Sequence, residues 1–517
     1  MTSSSARSPL ITVIGATGTG KSNVAVDLAL ALNGEIINGD AMQMYEGLPI
    51  ITNKITKEEM CGVPHHLLGF LDVKDVWRVG KFVREAESII EEIRSRGRIP
   101  ILVGGTHYYI QSLLFPYSIP ISNKPNESQT DKRDEEDYLD ESYPFPSVSG
   151  EILEEKYPIL NAETPILYET LQQIDPTIAA KWHPNDRRKI LRSLQIYYAS
   201  NCTRTASEVY AAQRAQKRLA PDSAWTRYKN LIFWVHAETD TLKNRLDGRV
   251  DKMIGGGMWE EIKEMKIIYD SAIAINKAGE EGGVDLNSGI WQSIGFKEFL
   301  PFLEMRGKID QEGDEKQKEL EEVKRLGLES MKTATRQYAR SQVKWIRIKF
   351  LNALGTGEEG ASDTQQTKKK RNENGDIFLL DSTDITSFSE TVSSTAVAIA
   401  KDFLSGSTPL PDPLSLSPLA RTSLLPKRAY DLADRPDLWI QRTCELCGVI
   451  CTNADEWRIH AMSQRHKKTV SREKRRPEVD MFIKMRKDRE EDERRRVVGE
   501  LVNVLEEFTD RSMEKEG

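Results

Sequence analysis

Between Leu10 and Leu32 the chain reads LITVIGATGTGKSNVAVDLALAL, and this stretch limits the fold more than any other. A short apolar run, Leu10–Ile14, ends in Gly15. The pattern G-x-x-x-x-G-K-S then runs to Ser22, and Asn23–Leu32 carries helical apolar spacing that Asn33 and Gly34 stop. Glycines let successive backbone N–H groups turn inward around an anion at the helix N-terminus. Lys21 adds a point charge, and the Ser22 hydroxyl is suited to Mg²⁺. Such a loop needs a buried strand before it and a helix after it. It points to a diphosphate or triphosphate and leaves the reaction open: a small-molecule kinase and a nucleotide switch would use the same cradle.

The following elements extend this beginning. Glu35–Asn38 reads as a second strand, Phe82–Arg96 as an amphipathic helix stopped by Gly97, and RIPILVGGT as a third buried strand. NLIFWVHA (Asn230–Ala237) reads as another strand. Thr241–Met265 and Leu320–Trp345 read as helices, and IFLLDST with the helix over 389–404 closes the sheet. The alternation predicts an α/β fold, a P-loop NTPase-like parallel sheet with helices on both faces.

The core is expected over 8–405, with a helical insertion at about 117–225 and disordered inserts at about 121–150 and 355–376. A Pro/Ser linker (406–437), a zinc finger (438–470) and a charged helical tail (471–517) would follow. A net charge of −7 excludes a uniformly basic nucleic-acid binder, so any such surface is local. No run reaches the roughly 18 apolar residues needed to cross a bilayer. A cytoplasmic monomer without a membrane partner is expected. The Ser-rich N-terminus and SREKRRPEV are the features that could address it to mitochondrion or nucleus.

The acid that could work beside the phosphate loop is Asp40, at the end of the second strand, where open α/β sheets place their chemistry. Of five cysteines, Cys444, Cys447 and Cys451 cluster beside His460 and His466. Cys444-x2-Cys447-x12-His460-x5-His466 has the spacing of a tetrahedral zinc site, with thiolates on a hairpin and imidazoles on a helix. Cys451 reads as core. The adjacent His65 and His66 would point apart on a strand and read as structural.

At this point eight blocks become informative: GATGTGKS, NGDAMQMYEGLPIITNK, VPHHLLGF, ILVGGTHYYI, IDPTIAAKWHPNDRRKILRSLQIYY, RVDKMIGGGMWEEI, GIWQSIGFKEF and ATRQYARSQVKWIR. In this order they make the chain similar to the tRNA dimethylallyltransferases (tRNA isopentenyltransferases), eukaryotic or fungal type with a C-terminal zinc finger. The resemblance implies transfer of a dimethylallyl group from dimethylallyl diphosphate to N6 of adenosine 37, in tRNAs reading codons that begin with U. Diphosphate is released, and the anticodon stem-loop is the partner.

It further implies Asp40, Thr106 and Lys21 as catalytic residues. Gly15, Thr17, Gly18, Thr19, Gly20, Lys21 and Ser22 would bind diphosphate, with Ser22 on Mg²⁺ and Thr19 giving a hydroxyl. Asp40, Ala41, Met42, Gln43 and Thr106 would read the extruded nucleotide. Arg187, Arg188, Lys189 and Arg192 would clamp the anticodon loop or the diphosphate. Gln292, Lys297, Arg336 and Gln337 are secondary RNA contacts, and Zn²⁺ on Cys444, Cys447, His460 and His466 is structural. Two departures stand out: Phe296 replaces the usual Tyr, and NCTRTAS replaces the usual block after the arginine helix.

Overall fold

A computed structural model describes residues 7–115, 150–219, 226–278, 286, 289–306, 314–354, 376–406, 409–425 and 435–513. The expected inserts therefore lie, but for their edge residues, outside the described residues. Two compact units are present: residues 1–161 with 195–434, and residues 162–194 with 435–517.

The first unit is built on six parallel strands in the order β3-β2-β4-β1-β5-β6. These are β1 (Pro9–Gly15), β2 (Gly34–Asn38), β3 (His65–His66), β4 (Ile99–Gly104), β5 (Lys229–His236) and β6 (Asp376–Asp381). Register pairs Ile11 with both Ile101 and Leu231, and Val13 with both Val103 and Phe233. Side chains alternate between the sheet's two faces. Leu10, Ile14, Ile37, Leu102, Ile232 and Trp234 fall in one core. Ile11, Val13, Ile36, Val103, Phe233 and Phe378 fall in the other. Burial on both faces explains why these strands read as continuous apolar runs.

Helix α1 (Lys21–Leu32) packs in the second core. So does the helix Ser394–Ser405, entered through a π-turn at Ser389–Ser393. Helices α2 (Val79–Ser95) and α3 (His107–Leu114) pack in the first. Then come α4 (Gly150–Lys156), α5 (Thr164–Ile174), α6 (Pro176–Lys181), α7 (Arg187–Ala199) and α8 (Ala206–Leu219). After β5 follow α9 (Thr239–Gly255), α10 (Met258–Ala278), α11 (Phe296–Arg306) and α12 (Asp314–Trp345).

One expectation needs correction. The helix expected over Thr241–Met265 is two helices, because Gly255, Gly256 and Gly257 interrupt it and Gly257 takes φ 106°. The histidine pair, expected to be structural, forms the two-residue edge strand β3. His66 Nε2 lies 2.6 Å from Glu35 Oε2, and Arg96 and Arg98 bond the same carboxylate. Burial would raise the Glu35 carboxyl, but Arg96 and His66 hold it down to about 2.

In the second unit α5, α6 and the first turns of α7 join the hairpin of β7 (Arg442–Thr443) and β8 (Ile450–Cys451). Lys181 Nζ lies 4.4 Å from the Trp439 ring centre and 4.6 Å from that of Trp182. The Tyr168 hydroxyl donates to Gln441 Oε1 at 3.0 Å.

Candidate active site

In a parallel sheet all strands end on the same edge, so the turns after β1, β2 and β4 meet there. They enclose a cavity of about 570 Å³. Its walls are the phosphate loop (Thr17, Gly18, Gly20–Asn23), Asp40–Gln43, residues 51–55 and Gly104–Thr106. Arg249 and Met253 from α9, Gln292–Ile294, and Met331, Thr335 and Tyr338 from α12 complete them.

The phosphate loop enters α1 through Gly20 at φ 90°, and the Phe388 ring occupies the space a Cβ would need there. Lys21 Nζ donates to the Ala16 carbonyl at 2.8 Å. Burial pulls the Lys21 ammonium down to about 8, Asp40 opposing this and Arg249 adding to it. Thr19 departs from expectation: its buried hydroxyl donates to the Ala16 carbonyl at 2.9 Å and does not line the cavity. Gly15 is likewise absent from the walls; the buried His107 bonds its backbone. Both residues shape the loop. Burial holds His107 neutral, at about 3.

Asp40 caps the short 3₁₀ turn Ala41–Met44, its Oδ1 accepting from Met42 N–H at 3.2 Å. The Asn38 amide fixes the backbone on both sides: Asn38 Oδ1 accepts from Asp40 N–H, and Asn38 Nδ2 donates to the Asp40 and Leu67 carbonyls. Thr106 Oγ1 accepts from Ala41 N–H at 3.0 Å and is also bonded to Tyr338. The glycines before Thr106 are there for close approach. A Cβ on Gly104 would lie 2.3 Å from Gly39 backbone, and one on Gly105 would lie 3.0 Å from Asp40 Oδ2. Burial raises the Asp40 pKa, while Lys21, the Met42 and Gly105 N–H groups and Arg249 pull it back.

Arg249 lines the cavity and stands outside the residues expected there. Its Nη1 donates to Thr17 Oγ1 at 2.6 Å, and burial lowers its pKa against the pull of Asp40. The signal was present: Leu242, Leu246, Arg249 and Met253 share one helical stripe, and a cation on an apolar stripe asks for an anion. Gln342 and Tyr338, both within the ATRQYARSQVKWIR block, also reach this site. The buried Gln342 accepts from Thr17 N–H at 2.8 Å and donates to the Gly105 carbonyl at 2.9 Å.

Toward the far wall, Gln292 lines the cavity and its Oε1 accepts from Lys297 at 3.0 Å. Beside it the buried Ser293 hydroxyl has no hydrogen-bond partner among the described residues. Lys297, Arg336 and Gln337 are not among the lining residues; Arg336 bonds Asp247 at 2.5 Å and Thr333 at 3.0 Å.

Arg187, Arg188, Lys189 and Arg192 lie at the start of α7, in the second unit. Arg187 donates to the Ala162 carbonyl at 2.5 Å, and Lys189 pairs with Asp186. The same unit holds a candidate metal centre. Ligand atoms of Cys444, Cys447, His460 and His466 all lie within 4.8 Å of one another. The hairpin supplies the thiols. The imidazoles come from two successive helices, Ala454–Met462 and Gln464–Met513, which break at Ser463, and not from one helix as expected. Cys451 is buried outside the cluster, and burial pushes its thiol up.

Comparison with known proteins places the chain among relatives. The family model for IPP transferase matches residues 43–349. The tRNA dimethylallyltransferase of Schizosaccharomyces pombe is 35% identical over 92% of this chain and 98% of its own length. That of Saccharomyces cerevisiae is 34% identical over 92% and 94%, and the human one 32% over 90% and 87%. A crystal structure of a eukaryotic dimethylallyltransferase acting on tRNA superposes with a TM-score of 0.64 at 32% identity, covering 92% of this chain and 99% of that one. A family model that matches more than half of the chain, and relatives at least 30% identical across nine-tenths of it, show that the chain belongs to the IPP transferase family, that of the tRNA dimethylallyltransferases.

Proposed function

We propose that the chain transfers the dimethylallyl group of dimethylallyl diphosphate to N6 of adenosine 37 in tRNAs reading codons that begin with U. The observation that carries this reading is the meeting of Asp40 with Lys21 and Arg249 in one cavity at the mouth of the phosphate loop. A base must leave the anticodon stack to enter such a cavity. The exocyclic nitrogen then bonds to the allylic carbon, and the carbon–oxygen bond to diphosphate breaks. The nitrogen loses a proton to the Asp40 carboxylate.

Burial suits Asp40 to that role, because a raised pKa makes the carboxylate a better proton acceptor. Lys21, Arg249 and the loop N–H groups face the departing diphosphate and stabilise its charge. Thr106, bonded to Ala41 N–H and Tyr338, holds the wall against which the nucleotide sits. Ser22 lines the cavity with a hard oxygen donor that fits Mg²⁺, which would share the diphosphate charge when bound.

Zn²⁺ fits the second unit. Cys444 and Cys447 Sγ lie 3.6 and 3.4 Å from His466 Nδ1. A tetrahedral zinc with ordinary bond lengths sets sulfur and nitrogen about 3.5 Å apart. The buried His460 Nε2, otherwise without a partner, completes the donor set. This module with Arg187, Arg188, Lys189 and Arg192 serves the anticodon stem-loop by gripping phosphates.

One assay tests the reading. Purified protein receives labelled dimethylallyl diphosphate or γ-labelled ATP, each with unmodified tRNA and Mg²⁺. Label passing from the allyl donor into RNA at adenosine 37 is the expected result; transfer from ATP alone would make the chain a kinase.

A further inference from the structure

Residues 49–54, of which Ile51, Thr52, Asn53 and Lys54 line the cavity, form one hydrogen-bonded turn. Asn53 N–H donates to the Ile50 carbonyl and Lys54 N–H to the Pro49 carbonyl. The first N–H groups of such a turn have no acceptor within it. Here both are taken by one side chain from a distant helix. Glu261, buried in the first turn of α10, accepts from Ile50 N–H through Oε1 and from Ile51 N–H through Oε2, each at 2.8 Å.

The far end of the turn acts on Gln43. Gln43 Nε2 lies 2.9 Å from the Asn53 carbonyl and 3.5 Å from that of Thr52. Carbonyls only accept, so the amino end of the amide must face them, which leaves Oε1 as the end the turn does not engage. A flipped amide would set oxygen against oxygen.

Resting on the transferase reading above, we propose that Glu261 is a positioning residue for the acceptor. By capping the 49–54 turn it locks the Gln43 amide with its oxygen offered to an N–H edge of a nucleobase. Glu261 touches no substrate and works through two backbone amides and one side chain.

The experiment uses the full chain, an anticodon stem-loop RNA and labelled dimethylallyl diphosphate. In Glu261→Gln, one acceptor oxygen becomes an amino group facing a backbone N–H. The KM for RNA should rise about tenfold, with the KM for donor within about twofold and kcat within about threefold. The decisive readout is coupling: added to Gln43→Ala, E261Q should change the RNA KM by less than about twofold. Effects that multiply in the double variant, or equal shifts in both KM values, would overturn the proposal in favour of a general loss of packing. If E261Q does not fold, Glu261→Asp keeps both oxygens and carries the same cycle, with a rise of about threefold. A wild-type chain that transfers no label would sink the transferase reading instead. Stem-loop affinity by fluorescence anisotropy needs no turnover and would still decide the role of Glu261: about tenfold weaker binding in E261Q supports it, and unchanged binding refutes it.

Discussion

The cavity at the sheet edge and the Cys/His cluster of the second unit are held together in opposite ways. Around the cavity every key group rests on a large core. Asp40 is tied through Asn38 and Gly105, Lys21 through Ala16, and Thr17 through Gln342 and Arg249. The Cys/His module has a small core of its own: the helix Ala454–Met462 buries no residue, and among its described residues Cys444, Cys451 and Trp439 are the buried side chains of hydrophobic weight, with Tyr168 and Lys181 reaching Gln441 and Trp439 from α5 and α6. On the proposed reading, a core of that size leaves a bound zinc to supply the fold. Chemistry is then placed where geometry is fixed before substrate arrives, and RNA grip where a metal would fix it.

Four measurements would break or sharpen this contrast. Asp40→Ala should slow kcat by about 10²-fold or more, the scale of a lost general base, with tRNA affinity and thermal stability largely kept. Near-normal turnover would remove Asp40 from the chemistry. Arg249→Ala should lower kcat/KM for the allyl donor by about thirtyfold and leave the KM for tRNA close to wild type. Its Thr17 contact predicts a donor effect, and an RNA effect would contradict that placement.

For the second region, Cys444→Ser with Cys447→Ser should raise the tRNA KM about tenfold at nearly unchanged kcat. Hydrogen exchange should then show residues 440–470 losing protection while β1–β6 keep theirs. Protection lost throughout the sheet would show that the two regions do not stand apart.

The smallest effect concerns pH. Lys21 is charged below its pKa of about 8 and neutral above it, so donor kcat/KM should fall as pH rises through that value. Lys21→Arg keeps its charge throughout, and whatever its absolute rate, its profile should lose that alkaline fall. An unchanged profile in K21R would assign the fall to another group.

What could be read from sequence follows from how local the information is. The strands were legible because a sheet buried on both faces leaves apolar runs, and the phosphate loop because its glycines are dictated within eight residues. Asp40 followed from its place at a strand end. Thr19 was misread since motif identity does not say which hydroxyl turns inward. The break at Gly255–Gly257 was lost in an otherwise continuous helical spacing. The pairing of Glu261 with Ile50 and Ile51 spans more than two hundred residues and goes to backbone amides, which leave no trace in residue type.

Gln342 joins the turn after β1 to the turn after β4 with one rigid amide. A tie of that kind sets a gauge. The sheet holds the two turns at their roots, where β1 pairs with β4, and the amide holds them at their tips. The distance across the mouth is thus set twice, once from below and once from the side.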